Sequence, residues 1–177
     1  MNVTLDGEKI KLWPLTDDDA TAEYPVWLNN PEVNQYMESR FQTHTMESVK
    51  QYIADRNAES NTYFFAIVRK DSDKMIGTIK LGPVHAGHSR GEIGIMIGDK
   101  DSWGQGFATE AIRLISDYGF EKLGLHKIIA GAYSANQGSI KAFLKNGFHE
   151  EAVLKEHSRS RDGFMDEVRL AKFNPNS

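Results

Sequence analysis

Two glycines, Gly104 and Gly106, separate a segment with the hydrophobic pattern of a β-strand from one with the pattern of an α-helix. The segment 91–98, "GEIGIMIG", is short and apolar, whereas apolar residues recur every three or four positions from Phe107 to Lys122. Because glycine adopts backbone conformations that other residues avoid, the pair permits a tight connection. The sequence therefore predicts a strand–loop–helix unit, as in mixed α/β proteins.

The same two patterns alternate along the rest of the chain, without repeats or linkers. Strands are predicted at Glu8–Leu15, Thr62–Lys70, Met75–Gly82, Gly91–Gly98, His126–Ser134, about Phe148–Arg159 and Phe164–Phe173. Helices are predicted from the cap Thr16 to about Leu28, from Asn30 and Pro31 onward, at Thr45–Glu59, at Phe107–Lys122 and at Asn136–Asn146. This order predicts an α/β (α+β) layer in which the first three strands after Thr45–Glu59 are antiparallel.

Composition narrows the class of protein. A chain of 177 residues is expected to form a single domain spanning 1–177. It has no cysteine, which excludes disulfides and thiolate metal sites, and no side-chain spacing suggests another metal site. The net charge of -4 lacks the basic footprint of a nucleic-acid-binding protein. Without a long apolar run or a basic-then-apolar leader, we expect a cytoplasmic protein that does not bind membranes.

The glycine pair also suggests an anion-binding loop. The first amides of a helix have no intrahelical acceptor and carry partial positive charge, so glycines before a helix let a phosphate approach them. A Rossmann fingerprint would need a third glycine where Thr109 stands, and a P-loop would need a lysine followed by Ser or Thr. Neither motif is present. Two readings remain for the glycines alone: main-chain binding of a diphosphate, or a simple turn between strand and helix.

Three segments together resemble the GNAT acetyltransferase superfamily and, within it, the RimJ/RimL-like branch. They are "WGQGFATEAI", the later "NQGSIKAFLKNGF" and the N-terminal "WLNNPEVNQYM", and the resemblance extends from Ile10 to about Phe173. It implies the GNAT fold: a twisted, mostly antiparallel mixed sheet of about seven strands flanked by about four helices. It also implies that the fourth and fifth strands splay apart.

The resemblance implies acetyl-CoA as co-substrate and assigns residues to it. Those expected to bind it are Trp103, Gly104, Gln105, Gly106, Phe107, Ala108 and Thr109 at the diphosphate, Ile95, Met96 and Ile97 beside the pantetheine arm, and Asn136, Ser139 and Lys145 (or Lys141) on the later helix. Trp103 departs from the Gln or Arg common in the superfamily. A solvated helix face remains the alternative for both lysines.

The implied reaction is attack of an amine on a thioester. Many GNAT enzymes protonate the leaving thiolate with a tyrosine, but the matching position here is Phe143. In the RimJ/RimL-like branch a serine at the place of Ser139 is associated with the coenzyme sulfur, so the resemblance implies that Ser139 donates to the thiolate. Glu92 matches a glutamate often found there and is expected to act as the base, if necessary through a water. The alternatives are a polar residue near a helix start for Ser139 and a carboxylate tied to an arginine or a backbone amide for Glu92. The missing tyrosine also leaves a non-catalytic acyl-CoA sensor possible.

The acceptor is expected to be a low-pKa amine, such as a protein N-terminus or a nucleotide-linked amino sugar, because no strong base is evident. Polyamines and aminoglycosides are the alternative acceptors. Candidate acceptor-binding residues are Asn34, Tyr36, Glu38, Arg40 and His85, for which packing or simple exposure is the alternative. A strand edge near the C-terminus allows either a monomer or a homodimer.

Overall fold

A computed structural model describes residues 3–160 and 163–177 and contains, within them, one eight-stranded sheet flanked by five α-helices. The strands are β1 (Leu5–Asp6), β2 (Ile10–Pro14), β3 (Tyr63–Arg69), β4 (Met75–Leu81), β5 (Arg90–Ile97), β6 (Lys127–Tyr133), β7 (His149–Ser160) and β8 (Gly163–Phe173). The helices are α1 (Glu23–Asn29), α2 (Pro31–Asn34), α3 (Met46–Ala58), α4 (Phe107–Glu121) and α5 (Gln137–Leu144). The strand order is β1-β2-β3-β4-β5-β6-β8-β7.

The expected mixed, mostly antiparallel sheet is confirmed, because among the strands of the described residues only β5 and β6 pair in parallel. The strand count exceeds seven by the two-residue β1, which is too short for a hydrophobic pattern to indicate. The helix predicted from Thr16 to Leu28 is interrupted. Thr16 donates its N–H and hydroxyl to the Asp19 carboxylate at 2.8 and 2.7 Å, which caps a single 3₁₀ turn before α1 begins at Glu23.

Each face of the sheet buries its own hydrophobic cluster. On one face, α4 packs Ile112 and Ile115 against apolar residues of β4 such as Ile79. On the other, Trp27 of α1 and Ile53 of α3 cover β3 and neighbouring strands. No helix of the described chain is long and apolar enough to cross a membrane.

The sheet opens between β5 and β6, as the resemblance implied. The two strands pair only from Arg90–Ile93 to Lys127–Ala130. Beyond Ile93, β5 continues to Ile97 along β4, whereas β6 continues to Tyr133 along β8. The backbone edges of 94–97 and 131–133 therefore face a wedge-shaped gap instead of each other.

We expect Gly98→Ala to destabilise the fold. A Cβ at this position would lie 2.2 Å from the Trp27 ring, so α1 would have to move away from the sheet. Overpacking of this kind costs about 1–3 kcal/mol. Gly87→Ala is the matched control, because its Cβ meets nothing within 4 Å. Urea unfolding should show a lower midpoint for Gly98→Ala alone, and equal midpoints for the two variants would contradict the packing described.

Candidate active site

A cleft of about 440 Å³ lies at the gap between β5 and β6. Its walls come from the end of β5, the loop before α4, the first turns of α5, and the segment around α2. The expected site residues that line it are Tyr36, Ile95, Met96, Ile97, Trp103, Gly104, Gly106, Phe107, Ala108, Thr109, Asn136, Ser139 and Lys145. Sequence reasoning thus grouped residues that the fold brings together from four separate segments.

The loop before α4 presents main-chain donors to this cleft. Gly104 and Gly106 have φ angles of +74° and +86°, which side chains rarely tolerate, and a Cβ at either would meet nothing within 4 Å. Glu110 N–H donates to Gly106 O at 3.0 Å in the first turn of α4. The amides of Phe107, Ala108 and Thr109 precede it and have no acceptor within the helix. Together with the helix dipole, they form an arrangement suited to an anion.

Side chains fix this loop to the sheet. The Trp103 indole donates from Nε1 to Ile97 O at 2.8 Å, so the loop is tied to the end of β5. In the preceding turn, Asp99 accepts from Ser102 Oγ at 2.5 Å and pairs with Lys74 at 3.1 Å. Burial opposes ionisation of Asp99, but these two contacts hold its pKa below the ordinary value.

Helix α5 forms the opposite wall. Asn136 caps it by accepting the Ser139 N–H on Oδ1 at 3.2 Å, which leaves its Nδ2 as a side-chain donor for a ligand. At the other end of the helix, Asn146 Nδ2 donates to Thr109 O at 2.9 Å and ties α5 to the first turn of α4. Phe143 is buried against a neighbouring phenylalanine ring at 5.0 Å and belongs to the core.

The segment after α2 closes the gap from the other face. Tyr36 lines the cleft and makes an edge contact with Tyr133, the last residue of β6, at 6.3 Å between centroids. The Tyr133 hydroxyl donates to the Glu38 carboxylate and accepts from Arg40 Nη1 at 2.8 Å. Arg40 also donates to the carbonyl of Arg159 near the end of β7. Glu38 and Arg40 thus lie next to the cleft but do not form part of its wall.

Glu92 lies at the point where β5 and β6 part. It directly precedes Ile93, the last residue of β5 that pairs with β6. Its carboxylate accepts from Arg169 Nη2 at 3.0 Å, and Arg169 Nη1 donates to Glu167 at 2.8 Å. Of the two readings offered by the sequence, an arginine-bound carboxylate is observed, and its position at the gap is compatible with proton transfer as well.

Besides Glu38, Arg40 and Glu92, three further expected site residues do not line the cleft. Asn34 donates from Nδ2 to Leu28 O at 2.7 Å and joins α1 to α2. The Gln105 side chain donates from Nε2 to Asp101 O at 2.5 Å. Only the backbone amide of Gln105 is therefore counted among the donors of the loop before α4. His85 pairs with Arg90 at the start of β5, the end of the strand away from the gap.

Sequence reasoning missed several residues of the wall. Val33, Gln35 and Met37 line the cleft beside Tyr36, and Tyr133 stands behind it. Tyr133 had a usable signal, because it ends the strand expected to border the splay. In the described ranges, no three His, Asp or Glu side chains cluster as they would around a metal ion.

The sequence is similar to those of known acetyltransferases. Residues 9–149 match the family model described as the acetyltransferase (GNAT) domain. The chain is 32% identical over 165 residues to the uncharacterized N-acetyltransferase p20 of Bacillus licheniformis, covering 92% of each chain. It is 26% identical over 167 residues to spermidine N(1)-acetyltransferase of Escherichia coli K12, covering 94% of this chain and 87% of the relative.

A solved structure has the same fold. The ribosomal-protein-S5-alanine acetyltransferase of Vibrio fischeri superposes with a TM-score of 0.81 at 20% identity, covering 99% of this chain and 98% of that one. The match extends over both layers of helices and the whole sheet.

We expect Gly106→Val to weaken coenzyme A binding at least about tenfold, because a branched side chain would occupy the space that the loop leaves open. Gly124→Val is the matched control. Gly124 also has a positive φ, +63°, with open space around it, but lies outside the cleft lining. Calorimetric titration should give a raised dissociation constant for the first variant and an unchanged one for the second. Equal affinities for coenzyme A in both variants would contradict diphosphate binding by this loop.

Proposed function

We propose, since this chain belongs to the GNAT acetyltransferase family and is an acetyl-CoA-dependent N-acetyltransferase, that its acceptor is a low-pKa primary amine such as a protein N-terminus. The observation that supports this acceptor class most is the composition of the cleft wall, which contains no histidine among the described residues. A side chain whose ordinary pKa lies near neutral pH is therefore not available in the wall to deprotonate the amine.

The energy of deprotonation explains why that matters. Removing a proton at pH 7 from a lysine-like amine, with a pKa of about 10.4, costs roughly 4–5 kcal/mol, whereas an α-amine near 7.7 costs about 1 kcal/mol. Carboxylates are weak bases, with ordinary pKa values of about 4. An amine that is already partly neutral at pH 7 needs a weaker base than a lysine or a polyamine, so a carboxylate such as Glu92 can suffice.

In the proposed binding mode, main-chain groups hold the co-substrate. The diphosphate accepts from the amides of 104–109, and the pantetheine arm lies along the free edge of β5 at Ile95–Ile97, where its amides pair as a strand would. Lys145 and Asn136 contribute side-chain contacts. The thioester then lies in the gap between the strands, next to Ser139.

The proposed reaction is a direct transfer. The amine nitrogen attacks the thioester carbonyl carbon, and a backbone amide of Ile95–Ile97 stabilises the oxyanion. The proton lost by the amine passes to Glu92, through a water where the distance requires one. The carbon–sulfur bond then breaks, and the Ser139 hydroxyl donates a hydrogen bond to the departing thiolate.

A polyamine is the second candidate acceptor. The Escherichia coli relative of that specificity aligns with nearly the whole chain. Three carboxylates near the gap, Glu38, Glu92 and Glu167, outnumber the two arginines beside them, Arg40 and Arg169, and the surplus negative charge would attract an ammonium group. The Vibrio fischeri protein, named a ribosomal-protein-S5-alanine acetyltransferase, is an example of the same fold with the first kind of acceptor in its name.

An acceptor panel separates the two candidates. Free thiol release from acetyl-CoA should be followed with N-terminal peptides, an amino sugar nucleotide, spermidine and an aminoglycoside. We expect the highest kcat/KM with an α-amine or amino sugar. A higher kcat/KM for spermidine than for any other acceptor would contradict the low-pKa assignment, and no thiol release with any of them would contradict the transferase mechanism.

Ser139→Ala should lower kcat about tenfold while changing the dissociation constant of coenzyme A less than twofold, because the hydrogen bond to sulfur matters only as the thiolate forms. Ser134→Ala is the control, as Ser134 precedes α5 but does not line the cleft. Steady-state kinetics and calorimetry together measure both quantities. An equal loss in kcat and in coenzyme A affinity would make Ser139 a binding residue only.

A further inference from the structure

A connected set of charged side chains lies on the face of the sheet that carries Tyr133, next to the segment after α2. Arg169 of β8 donates from Nη2 to Glu92 Oε1 at 3.0 Å and from Nη1 to Glu167 Oε1 at 2.8 Å. His157 of β7 lies 3.8 Å from the other oxygen of Glu167. One guanidinium therefore links two carboxylates, and one of these is at the point where β5 and β6 separate.

Arg169 reaches Glu92 across an intervening strand. It is opposite Gly131 of β6, and β6 in turn pairs with β5, so the side chains of Arg169 and Glu92 together bridge about two strand spacings, or roughly 10 Å. Gly131 makes this possible. A Cβ there would lie 2.6 Å from Glu167 Oε1 and 2.7 Å from Arg169 Nη1. The absence of a side chain at residue 131 thus keeps open the path of the guanidinium.

The geometry leaves Glu92 able to react. The hydrogen bond from Arg169 engages Oε1, so Oε2 can accept from an amine or a water, and the Glu92 side chain is 38% exposed. Glu167, at 14% exposure, is the more buried carboxylate and anchors the other side of the guanidinium. Partial burial lowers the pKa of Arg169, but its two carboxylate partners raise it above the ordinary value, so Arg169 stays charged throughout the working pH range.

We propose that Arg169 is a positioning residue that fixes the carboxylate of Glu92 at the gap as the proton acceptor, with Glu167 anchoring the guanidinium and Gly131 leaving it room. This inference rests on the proposed function. Arg169 touches neither co-substrate nor acceptor in this account and acts through Glu92.

Charged groups on the neighbouring strands determine the sign of the expected effects. Lys80 of β4 is opposite Gly94, Lys127 of β6 pairs with Glu151, and Arg169, Glu167 and His157 belong to the network. Arg169 attracts the Glu92 carboxylate, and Glu167 competes for the same guanidinium while repelling Glu92. Removing Arg169 therefore releases the Glu92 carboxylate from its position, whereas neutralising Glu167 leaves the guanidinium more fully to Glu92.

Steady-state kinetics with one acceptor amine test this, because a positioning residue acts on kcat and not on the affinity for acetyl-CoA. Arg169→Met should lower kcat about tenfold while the KM for acetyl-CoA stays within about twofold, and Glu167→Gln should lower kcat less. Gly131→Val should also lower kcat, because its side chain would displace the guanidinium without changing any member of the network. Glu92→Gln should lower kcat about 10²-fold, and adding Arg169→Met to it should lower kcat no further.

Arg113→Met is the control, because Arg113 pairs only with Asp117 on the exposed side of α4. Thermal midpoints with and without acetyl-CoA identify any variant that is merely unfolded, and the conservative Glu167→Gln gives a folded reading in that case. A kcat within about twofold of wild type in both Arg169→Met and Gly131→Val, or a further loss of kcat when Arg169→Met is added to Glu92→Gln, would overturn the positioning role while leaving acetyl transfer intact. Wild-type turnover in Glu92→Gln would overturn it too, and wild type that acetylates no amine would remove the proposed function itself.

Discussion

The geometry of the site depends on two parallel strands that pair over only part of their length. β5 and β6 share only four residue pairs, because β6 then follows β8 to Tyr133 while β5 stays with β4 to Ile97. A parallel pair of consecutive strands requires a crossover, and here it is α4. The crossover begins where β5 ends, so the amide-rich start of α4 is placed at the mouth of the same gap. The slot for the reacting group and the anchor for the diphosphate are thus two results of one topology.

This arrangement explains why the phosphate loop has glycines and no lysine. Its donors are main-chain amides at the start of a 15-residue helix, and the loop needs two positive φ angles to present them. Trp103 satisfies the Ile97 carbonyl and holds the loop against β5, so little main-chain ordering is left to occur on binding. Such main-chain recognition suits a ligand whose diphosphate serves only for binding and whose reacting atom lies elsewhere in the ligand molecule.

Much of the secondary structure could be predicted from local sequence signals. The start of α4 at Phe107, the cap Asn136 and the strand 91–98 follow from glycine placement, capping and hydrophobic period, which all act within a few residues. The interrupted helix after Thr16 shows the limit of such reasoning, since the Asp19 carboxylate favoured one tight turn over a continuing helix.

Relations between distant strands could not be derived in the same way. The pairs Glu92–Arg169 and Glu38–Tyr133 join residues far apart in sequence, and a period-two pattern fixes the face of a side chain but not the register of its partner strand. His85 shows the opposite error. It is close to Glu92 in sequence, yet the loop that carries it lies at the end of β5 that pairs with β6. His85 is therefore distant from the gap although it is near Glu92 in the sequence.

A crystal structure with bound coenzyme A is the most direct test of the central claim, that main-chain donors at the split between β5 and β6 bind the diphosphate and direct the thioester into the gap. The account predicts diphosphate oxygens within hydrogen-bonding distance of the amides of 104–109 and a pantetheine arm beside 94–97. A diphosphate bound elsewhere, with these amides left to solvent, would contradict it.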